Sequence, residues 1–238
     1  MENIKQGNKK FKTYTAVLII IIGLSIFYLC INGFIAELTG GYQTFLNNWL
    51  GQTNKWSHSF GPGILVENMR EITVFADDIF IFLFSLIFGG YLLIRKKYRT
   101  LCTYFFVVIG AGFFNVFLKN YINGEAWYNL FNPLIIDGKT FPSGHALMSV
   151  VFYFTMAVIL YRTNPSRKLI QYLTIIALLI NILIGICLIL TGMHSPDEIF
   201  AGWSIGFVWI SAAWLIDHYL REKINNSHQR KESDLTEG

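Results

Sequence analysis

Six long apolar runs constrain the fold of this chain more than any other feature. They lie at about residues 14–37, 74–94, 100–119, 144–161, 168–191 and 198–219. A helix needs about 20 mostly apolar residues to cross a bilayer, so each run is long enough to span one. Only 14% of the residues are charged, whereas soluble domains average about 25%. We therefore predict an all-α, integral-membrane bundle of six helices.

Small or polar residues interrupt the third and sixth runs. They are Gly110, Gly112, Asn115, Gly202 and Ser204. Small residues let helix backbones approach each other closely in lipid. The interruptions are therefore compatible with a tightly packed bundle.

Basic residues are distributed unevenly between the segments that connect the runs. Of the 19 Lys and Arg residues, 15 lie before the first run, between the second and third, between the fourth and fifth, or after the sixth. The other four are Lys55, Arg70, Lys119 and Lys139. By the positive-inside rule both termini are cytoplasmic, as in a multi-pass protein of the plasma membrane. The same bias explains the net charge of +4 without a nucleic-acid partner.

The runs and charges divide the chain into four segments. Residues 1–13 form a basic cytoplasmic N-terminus, and residues 14–73 form an uncleaved signal-anchor helix followed by an outer loop. The apolar core of a signal peptide has about 7–15 residues, so the first run is too long for one. Residues 74–219 form the main membrane domain. Residues 220–238 form a polar cytoplasmic tail, which we expect to be disordered from about Asn225.

The three cysteines do not indicate a metal site. Cys30, Cys102 and Cys187 all lie within apolar runs and lack the spacing of metal ligands. We therefore interpret them as inert thiols. No metal or cofactor is predicted.

A first polar motif, Phe141-Pro142-Ser143-Gly144-His145, precedes the fourth run. Proline is tolerated where a helix begins, serine is a good N-cap, and glycine lets a ligand approach the backbone. The free N–H groups and the positive end of the helix dipole form a site for an anion, with His145 beside it. The alternative interpretation is a capped helix with an interfacial histidine.

A second polar motif, residues 192–198, joins the fifth and sixth runs. If a helix begins near Ser195, His194 and Glu198 form an i,i+4 pair. A carboxylate on one ring nitrogen fixes the tautomer and raises the basicity of the other nitrogen. Asp197 is an alternative partner or an N-cap group. Both motifs fall on the predicted outer face, which favours one shared active site there over two unrelated helix ends.

Over about residues 74–219 the chain resembles the type-2 phosphatidic acid phosphatase and vanadium haloperoxidase superfamily. The motifs of that family are K-x6-R-P, P-S-G-H and S-R-x5-H-x3-D. Residues 142–145 match the second motif in full, and Lys119 matches the lysine of the first. In the third motif His194 matches, and Gly192, Pro196 and residues 201–203 fit the common form. The resemblance implies a membrane lipid phosphatase domain with six helices and an outward site.

The chain departs from the family pattern at both arginines. Ala126 stands at the arginine position of the first motif, and Cys187-Leu188 stands where the third motif has Ser-Arg. Glu198 takes the final aspartate position. Arginine offers a bidentate fork to phosphate, so its absence weakens the case for tight binding of a phosphomonoester. The nearest outer cations in sequence are Lys119 and Lys139, and Arg70 could come from the first loop.

The resemblance also implies a mechanism in two steps that needs no metal or cofactor. His194 would attack phosphorus and form a phosphohistidine, with Glu198 or Asp197 orienting its ring. His145 would protonate the leaving oxygen and then activate the acceptor. Phosphate oxygens would be held by Ser143, Gly144, Lys119 and Lys139.

Three functions fit this sequence. The first is a lipid phosphatase that acts on a polyprenyl diphosphate, phosphatidic acid or phosphatidylglycerol phosphate in the outer leaflet. The second is a phosphotransferase that moves a phospholipid headgroup to a lipid or glycan; the missing arginines favour it because a phosphodiester carries less charge. The third is a non-catalytic lipid-binding relative. We rank the phosphatase first because its motifs are the closest match.

Asp77 and Asp78 form a further polar pair at the outer end of the second run. Ionisable groups near membrane spans often mark function. At a helix N-terminus, acidic residues also interact favourably with the helix dipole. We favour this second interpretation.

Overall fold

The computed structural model describes residues 2–42, 44–46, 48–49, 62–123, 141–163 and 166–236. The regular elements in these ranges are helices, with a short 3-10 turn at Val74–Ala76. The α helices are α1 (Glu2–Ile31), α2 (Phe34–Leu38), α3 (Pro62–Thr73), α4 (Asp78–Ile94), α5 (Tyr98–Asn123), α6 (Gly144–Thr163), α7 (Arg167–Leu190) and α8 (Pro196–Thr236).

Five of these helices are long and apolar enough to cross a membrane. They are α1 from Lys12, α5, α6, α7, and α8 as far as Lys223. A sixth span forms if Ile64–Ala76 and α4, which meet at a bend of 45°, are counted together. The prediction of an all-α membrane bundle is therefore confirmed.

Asp77 causes the bend between α3 and α4. Its backbone is extended, with φ −69° and ψ 143°, and its side chain accepts a hydrogen bond from the N–H of Ile79. This is the geometry of an N-cap, which begins a new helix instead of continuing the old one. As a result, α3 lies in a segment that the sequence analysis assigned to the outer loop, since the apolar pattern does not show a helix upstream of this break.

Two predicted helix ends differ from the structure. The first apolar run was predicted to continue to residue 37, but α1 ends at Ile31 and Gly33 adopts a left-handed φ of 76° before α2. The prediction of a disordered tail from Asn225 was wrong, because α8 continues to Thr236. A polar composition does not end a helix when neither glycine nor proline interrupts it.

Helix α6 is at the centre of the bundle. In its most apolar window 61% of the residues are buried, against at most 39% in the other spans. It packs against α5, α7 and α8, while α1 packs along α8. Buried polar pairs join neighbouring helices: Ser149 donates to Asn181 Oδ1 at 2.8 Å, and Tyr104 donates to Ser85 at 2.9 Å.

Gly202 sets the close approach of α8 to the beginning of α6. A Cβ atom built on Gly202 would lie 2.5 Å from the carbonyl oxygen of Ser143 and 2.9 Å from Cβ of Ala146. Any side chain there would separate the two helices. This agrees with the expectation that small residues let the helices approach closely, and it brings the two polar motifs together.

Candidate active site

Ser143 caps α6 and fixes the first polar motif. Its Oγ accepts a hydrogen bond from the N–H of Ala146 at 3.3 Å, and its carbonyl accepts one from Leu147 at 3.1 Å. Pro142 and Ser143 are buried, Ser143 completely, whereas Gly144 and His145 are half-buried. The first turn of α6 therefore presents Gly144 and His145 outward, while the predicted phosphate ligand Ser143 lies beneath them.

The turn between α7 and α8 holds His194 in place. Gly192 has a left-handed φ of 73°, which glycine adopts without strain. The chain then reverses, and the N–H groups of Met193 and His194 both donate to the carbonyl of Leu188, at 3.1 and 3.2 Å. This turn ends α7 with its last carbonyls satisfied. It leaves the His194 side chain only 7% exposed.

His194 and Glu198 form a short contact on the first turn of α8. The distance from His194 Nδ1 to Glu198 Oε2 is 2.8 Å, and the N–H of Ser195 donates to the same oxygen at 3.1 Å. With Nδ1 donating to the carboxylate, the imidazole presents Nε2 as its basic nitrogen. The carboxylate that contacts His194 is thus that of Glu198, and Asp197 is half-buried on the same turn.

The two polar motifs form a single site. The N–H of Ser143 donates to the carbonyl of Glu198 at 3.1 Å, so the beginning of α6 is bonded to the beginning of α8. The ring centroids of His145 and His194 are 5.7 Å apart, and the ring planes make an angle of 60°. A tetrahedral group lying between the rings could contact both histidines.

Helix α5 brings two further polar groups to the beginning of α6. A Cβ atom on Gly144 would lie 2.8 Å from Asn115 Nδ2 and 3.6 Å from Lys119 Nζ. Asn115 and Lys119 are four residues apart and share one face of α5. The predicted ligand Lys119 therefore lies beside the glycine of the motif, and Asn115 is a neighbour that the sequence analysis noted only as a polar interruption.

The electrostatic surroundings of His145 include groups of both signs. Lys119, His194 and the carboxylates of Asp77 and Asp78 are all close enough to His145 to interact with it electrostatically. Asp77 is the N-cap of α4, at the helix N-terminus where the sequence led us to favour an interaction of the pair with the helix dipole. Its position near His145 shows that the pair also contributes negative charge to the site.

Tyr42 is a contact of the site that the sequence analysis missed. Its hydroxyl lies 3.1 Å from the carbonyl of Ile189 and 3.2 Å from that of His194, and donates its proton to this pair of acceptors. Burial, and then the carboxylates of Glu198 and Asp197, raise the pKa of Tyr42 above its usual value of 10. The hydroxyl thus keeps its proton at neutral pH. No signal distinguished Tyr42 from the other aromatic residues of the outer segment.

The residues at the Ser-Arg positions of the third family motif, Cys187 and Leu188, lie inside the bundle. Leu188 is fully buried and Cys187 is 2% exposed, so neither side chain offers charge to the site. Ala126 and the predicted ligand Lys139 lie outside the described residues. Within the described ranges no cluster of His, Cys, Asp and Glu could hold a metal ion.

A cavity of about 310 Å³ opens beside the polar groups. Its lining includes Asp78 and Asn115 together with the apolar side chains of Ile109, Phe113 and Val116. It therefore has a polar end near Gly144 and apolar walls between α4, α5 and α6.

The family model described as the PAP2 superfamily matches residues 100–222, just over half of the chain. The chain belongs to the PAP2 superfamily. The matched segment holds Lys119, the beginning of α6 and the His194–Glu198 pair, so every described group of the site except Tyr42, Asp77 and Asp78 lies within the PAP2 region.

A solved structure shares the fold of this PAP2 chain. It is the crystal structure of the first transmembrane PAP2 type phosphatidylglycerolphosphate phosphatase from Bacillus subtilis, with a TM-score of 0.63 and 22% identity. The alignment covers 87% of this chain and 97% of that chain. The likeness therefore extends beyond residues 100–222. No individually curated protein matches the chain significantly.

Proposed function

We propose that this PAP2 chain is a membrane lipid phosphatase that works through a phosphohistidine on His194. The observation that carries the proposal is that two histidines from different helices lie close together, with a carboxylate bonded to one of them. Glu198 holds His194 Nδ1 at 2.8 Å, and the ring of His145 lies 5.7 Å away at the N-terminus of α6. This combination of an oriented nucleophile and a second acid–base group suits transfer of a phosphoryl group.

In the first step His194 Nε2 attacks phosphorus and the bond from phosphorus to the lipid oxygen breaks. His145, protonated, gives its proton to that leaving oxygen, so the lipid departs as an alcohol or as a lipid monophosphate. The Glu198 carboxylate stabilises the positive charge that develops on the His194 ring.

In the second step a water molecule attacks the phosphorus of the phosphohistidine. His145, now neutral, accepts a proton from that water, and the bond from phosphorus to nitrogen breaks. Inorganic phosphate leaves, and both histidines return to their starting protonation states. The same residue thus acts first as acid and then as base.

The N-terminus of α6 and the polar face of α5 supply the contacts to phosphate. Free N–H groups at the beginning of a helix attract anions, and Lys119 Nζ lies next to Gly144. Asn115 adds an amide donor at the same place. The 310 Å³ cavity includes Asn115 in its lining and continues between apolar walls, which suits a lipid chain attached to the phosphate. Lys139 stays a predicted ligand from the sequence.

A second candidate function is transfer of a phosphorylated headgroup between lipids. The observation that favours it is Leu188, which is fully buried at a position where the resemblance leads us to expect arginine. The family motifs contain one lysine and two arginines, and of these three cations the chain keeps only the lysine, Lys119. A phosphodiester carries one negative charge and needs less compensation than a phosphomonoester.

The test is an assay of the purified full-length chain in detergent. Phosphatidic acid, phosphatidylglycerol phosphate and a polyprenyl diphosphate are supplied separately, and released inorganic phosphate is measured. Mass spectrometry of the lipids shows whether a headgroup has moved to an acceptor. We expect phosphate release from at least one substrate, and its loss in His194→Ala. His218→Ala is the matched control, because His218 stacks on Trp214 at the other end of α8.

Each alternative result has a clear meaning. Headgroup transfer without free phosphate would replace the phosphatase with the transferase. Release that survives His194→Ala would overturn the phosphohistidine mechanism. If the wild-type chain were inert in both assays, the remaining interpretation would be a non-catalytic lipid-binding protein.

A further inference from the structure

A second cavity in the described part of the chain lies far from the histidines. Its volume is about 580 Å³, and it opens between α1, α5, α6, α7 and α8. Arg162, in its lining, is 17 residues after His145 on α6, which places it roughly 25 Å along the helix. The cavity therefore belongs to the opposite end of the bundle and shares no residue with the candidate active site.

The walls of this cavity are apolar and its mouth is polar. The apolar lining includes Ala16 and Ile19 of α1, Val107 of α5 and Ile210 of α8. Lys12, Arg162 and Asp217 lie where these helices reach the end of the bundle. Pockets of roughly 300–1,000 Å³ with apolar walls and few polar groups are typical of ligand sites. An amphiphile with one charged end fits this arrangement.

The charges at the mouth favour an anionic ligand. Arg162 Nη1 and Arg221 Nε both donate to the same oxygen of Asp217, each at 2.9 Å. One carboxylate thus balances only one of the two guanidinium groups, and Lys12 adds a further positive charge. The Nη2 atom of Arg221 is buried and has no hydrogen-bond partner among the described residues. Arg221 is not itself in the cavity lining and is linked to it through Asp217, so Arg162 and Lys12 are the cations that a ligand in the cavity can contact.

A buried hydroxyl inside the cavity also lacks a partner. Thr155 lines the cavity and is 7% exposed. Its Oγ1 has no hydrogen-bond partner within the described ranges, although a buried hydroxyl normally has one. The ester oxygen of a lipid could accept a hydrogen bond from it.

From these observations we infer that this inner cavity, the one lined by Lys12, Thr155 and Arg162, binds an anionic phospholipid. One acyl chain lies between α1 and α6, and the phosphate contacts Lys12 and the Arg162 end of the Arg162–Asp217–Arg221 cluster. The inference goes beyond the proposed function and does not depend on it, since the two sites share no residue. The lipid comes from the leaflet at this end of the bundle, where the basic residues of the chain concentrate.

The test measures lipid binding to the full-length protein after its lipids have been removed by detergent exchange. Phosphatidylglycerol, phosphatidylcholine and soluble glycerol phosphate are titrated, and the shift in melting temperature is followed. We expect phosphatidylglycerol to stabilise the protein more than phosphatidylcholine, and glycerol phosphate to have no effect because it has no acyl chain. Lys12→Glu should weaken binding of phosphatidylglycerol about tenfold.

Two control variants make the test specific. Lys97 is exposed and lies at the same end of the bundle, outside the cavity lining, so Lys97→Glu should leave binding unchanged. His194→Ala should also leave it unchanged, because the active site lies at the other end. Equal stabilisation by phosphatidylglycerol and phosphatidylcholine would mean that the lipid contact is not selective for an anionic headgroup, and would overturn the inference. An equal loss in Lys97→Glu, or a loss only in His194→Ala, would likewise overturn the inference.

Discussion

At the scale of single residues, the Glu198 carboxylate organises the site. One of its oxygens accepts hydrogen bonds from His194 Nδ1 and from the N–H of Ser195. Its own carbonyl accepts the N–H of Ser143. The same residue thus orients the proposed nucleophile through its side chain and anchors the first motif through its backbone.

This arrangement predicts different effects for two neighbouring carboxylates. Glu198→Gln keeps the size of the side chain but cannot stabilise a charged His194 ring, so kcat should fall by about 100-fold or more. Asp197→Asn should change kcat far less, because Asp197 does not hold the ring in this structure. Released phosphate and the melting temperature of each variant are the measurements.

Comparing these two variants also tests which carboxylate, that of Glu198 or that of Asp197, is the partner of His194, a choice that the sequence left open. A larger loss of kcat in Asp197→Asn than in Glu198→Gln would reverse the assignment. A fall in melting temperature without a fall in kcat would assign Glu198 a structural role alone.

Other residues of the site could not be identified from the sequence. Tyr42 reaches the carbonyl of His194 across 152 positions of the chain, and Asn115 reaches Gly144 from a different helix. Neither is part of a local pattern. Such contacts depend on the distance between helices, which periodicity and composition do not contain.

At the scale of elements, the site depends on three helix ends that meet. The beginnings of α6 and α8 are joined by the bond between Ser143 and Glu198, and the end of α5 adds Lys119. The contact between α6 and α8 requires Gly202, whose missing side chain lets the Ser143 carbonyl lie against α8. Helix packing and the geometry of the candidate site are therefore linked at one position.

Gly202→Ala should destabilise the protein by about 1–3 kcal/mol, because the added methyl group forces α6 and α8 apart. It should also lower the rate of phosphate release, since the two histidines separate. Gly90→Ala is the matched control: Gly90 is a lipid-facing glycine of α4 with nothing within 4 Å of a built Cβ. Alanine there should stabilise the helix by about 0.5–1 kcal/mol.

Thermal unfolding and activity of the two variants check this prediction. If Gly202→Ala melted at the wild-type temperature and kept full activity, the close approach would have no role in the site. Destabilisation of similar size in Gly90→Ala would point to a general intolerance of the bundle instead.

At the scale of the whole molecule, the bundle has two polar ends with different chemistry. One end holds the histidines, Glu198 and Lys119. The other holds the Arg162–Asp217–Arg221 cluster and most of the described basic residues. The positive-inside rule predicts that the basic end faces the cytoplasm and the histidines face outward.

Cysteine labelling of intact cells tests this orientation. The background carries Cys102→Ser, since Cys102 is the exposed native cysteine, while Cys30 and Cys187 are buried. Tyr121→Cys, at a position 78% exposed near the site, should react with an impermeant thiol reagent. Lys97→Cys, at the opposite end, should react only after the membrane is opened. The reverse pattern would place the active site in the cytoplasm.

The amino-acid sequence was sufficient to predict the membrane bundle, most of its spans and the two polar motifs. Burial in lipid requires long apolar runs, and a helix start requires capping residues, so both leave local signals such as Pro142-Ser143-Gly144-His145. The bend at Asp77 and the helix beyond Asn225 left weaker signals and were missed.

Tertiary structure alone decided which groups meet. It brought the His145 and His194 rings to 5.7 Å and added Asn115 and Tyr42. It also opened a separate apolar cavity at the basic end of the bundle. The physical reason is that these contacts depend on how closely whole helices pack, which small residues such as Gly144 and Gly202 permit, and which no single segment of sequence specifies.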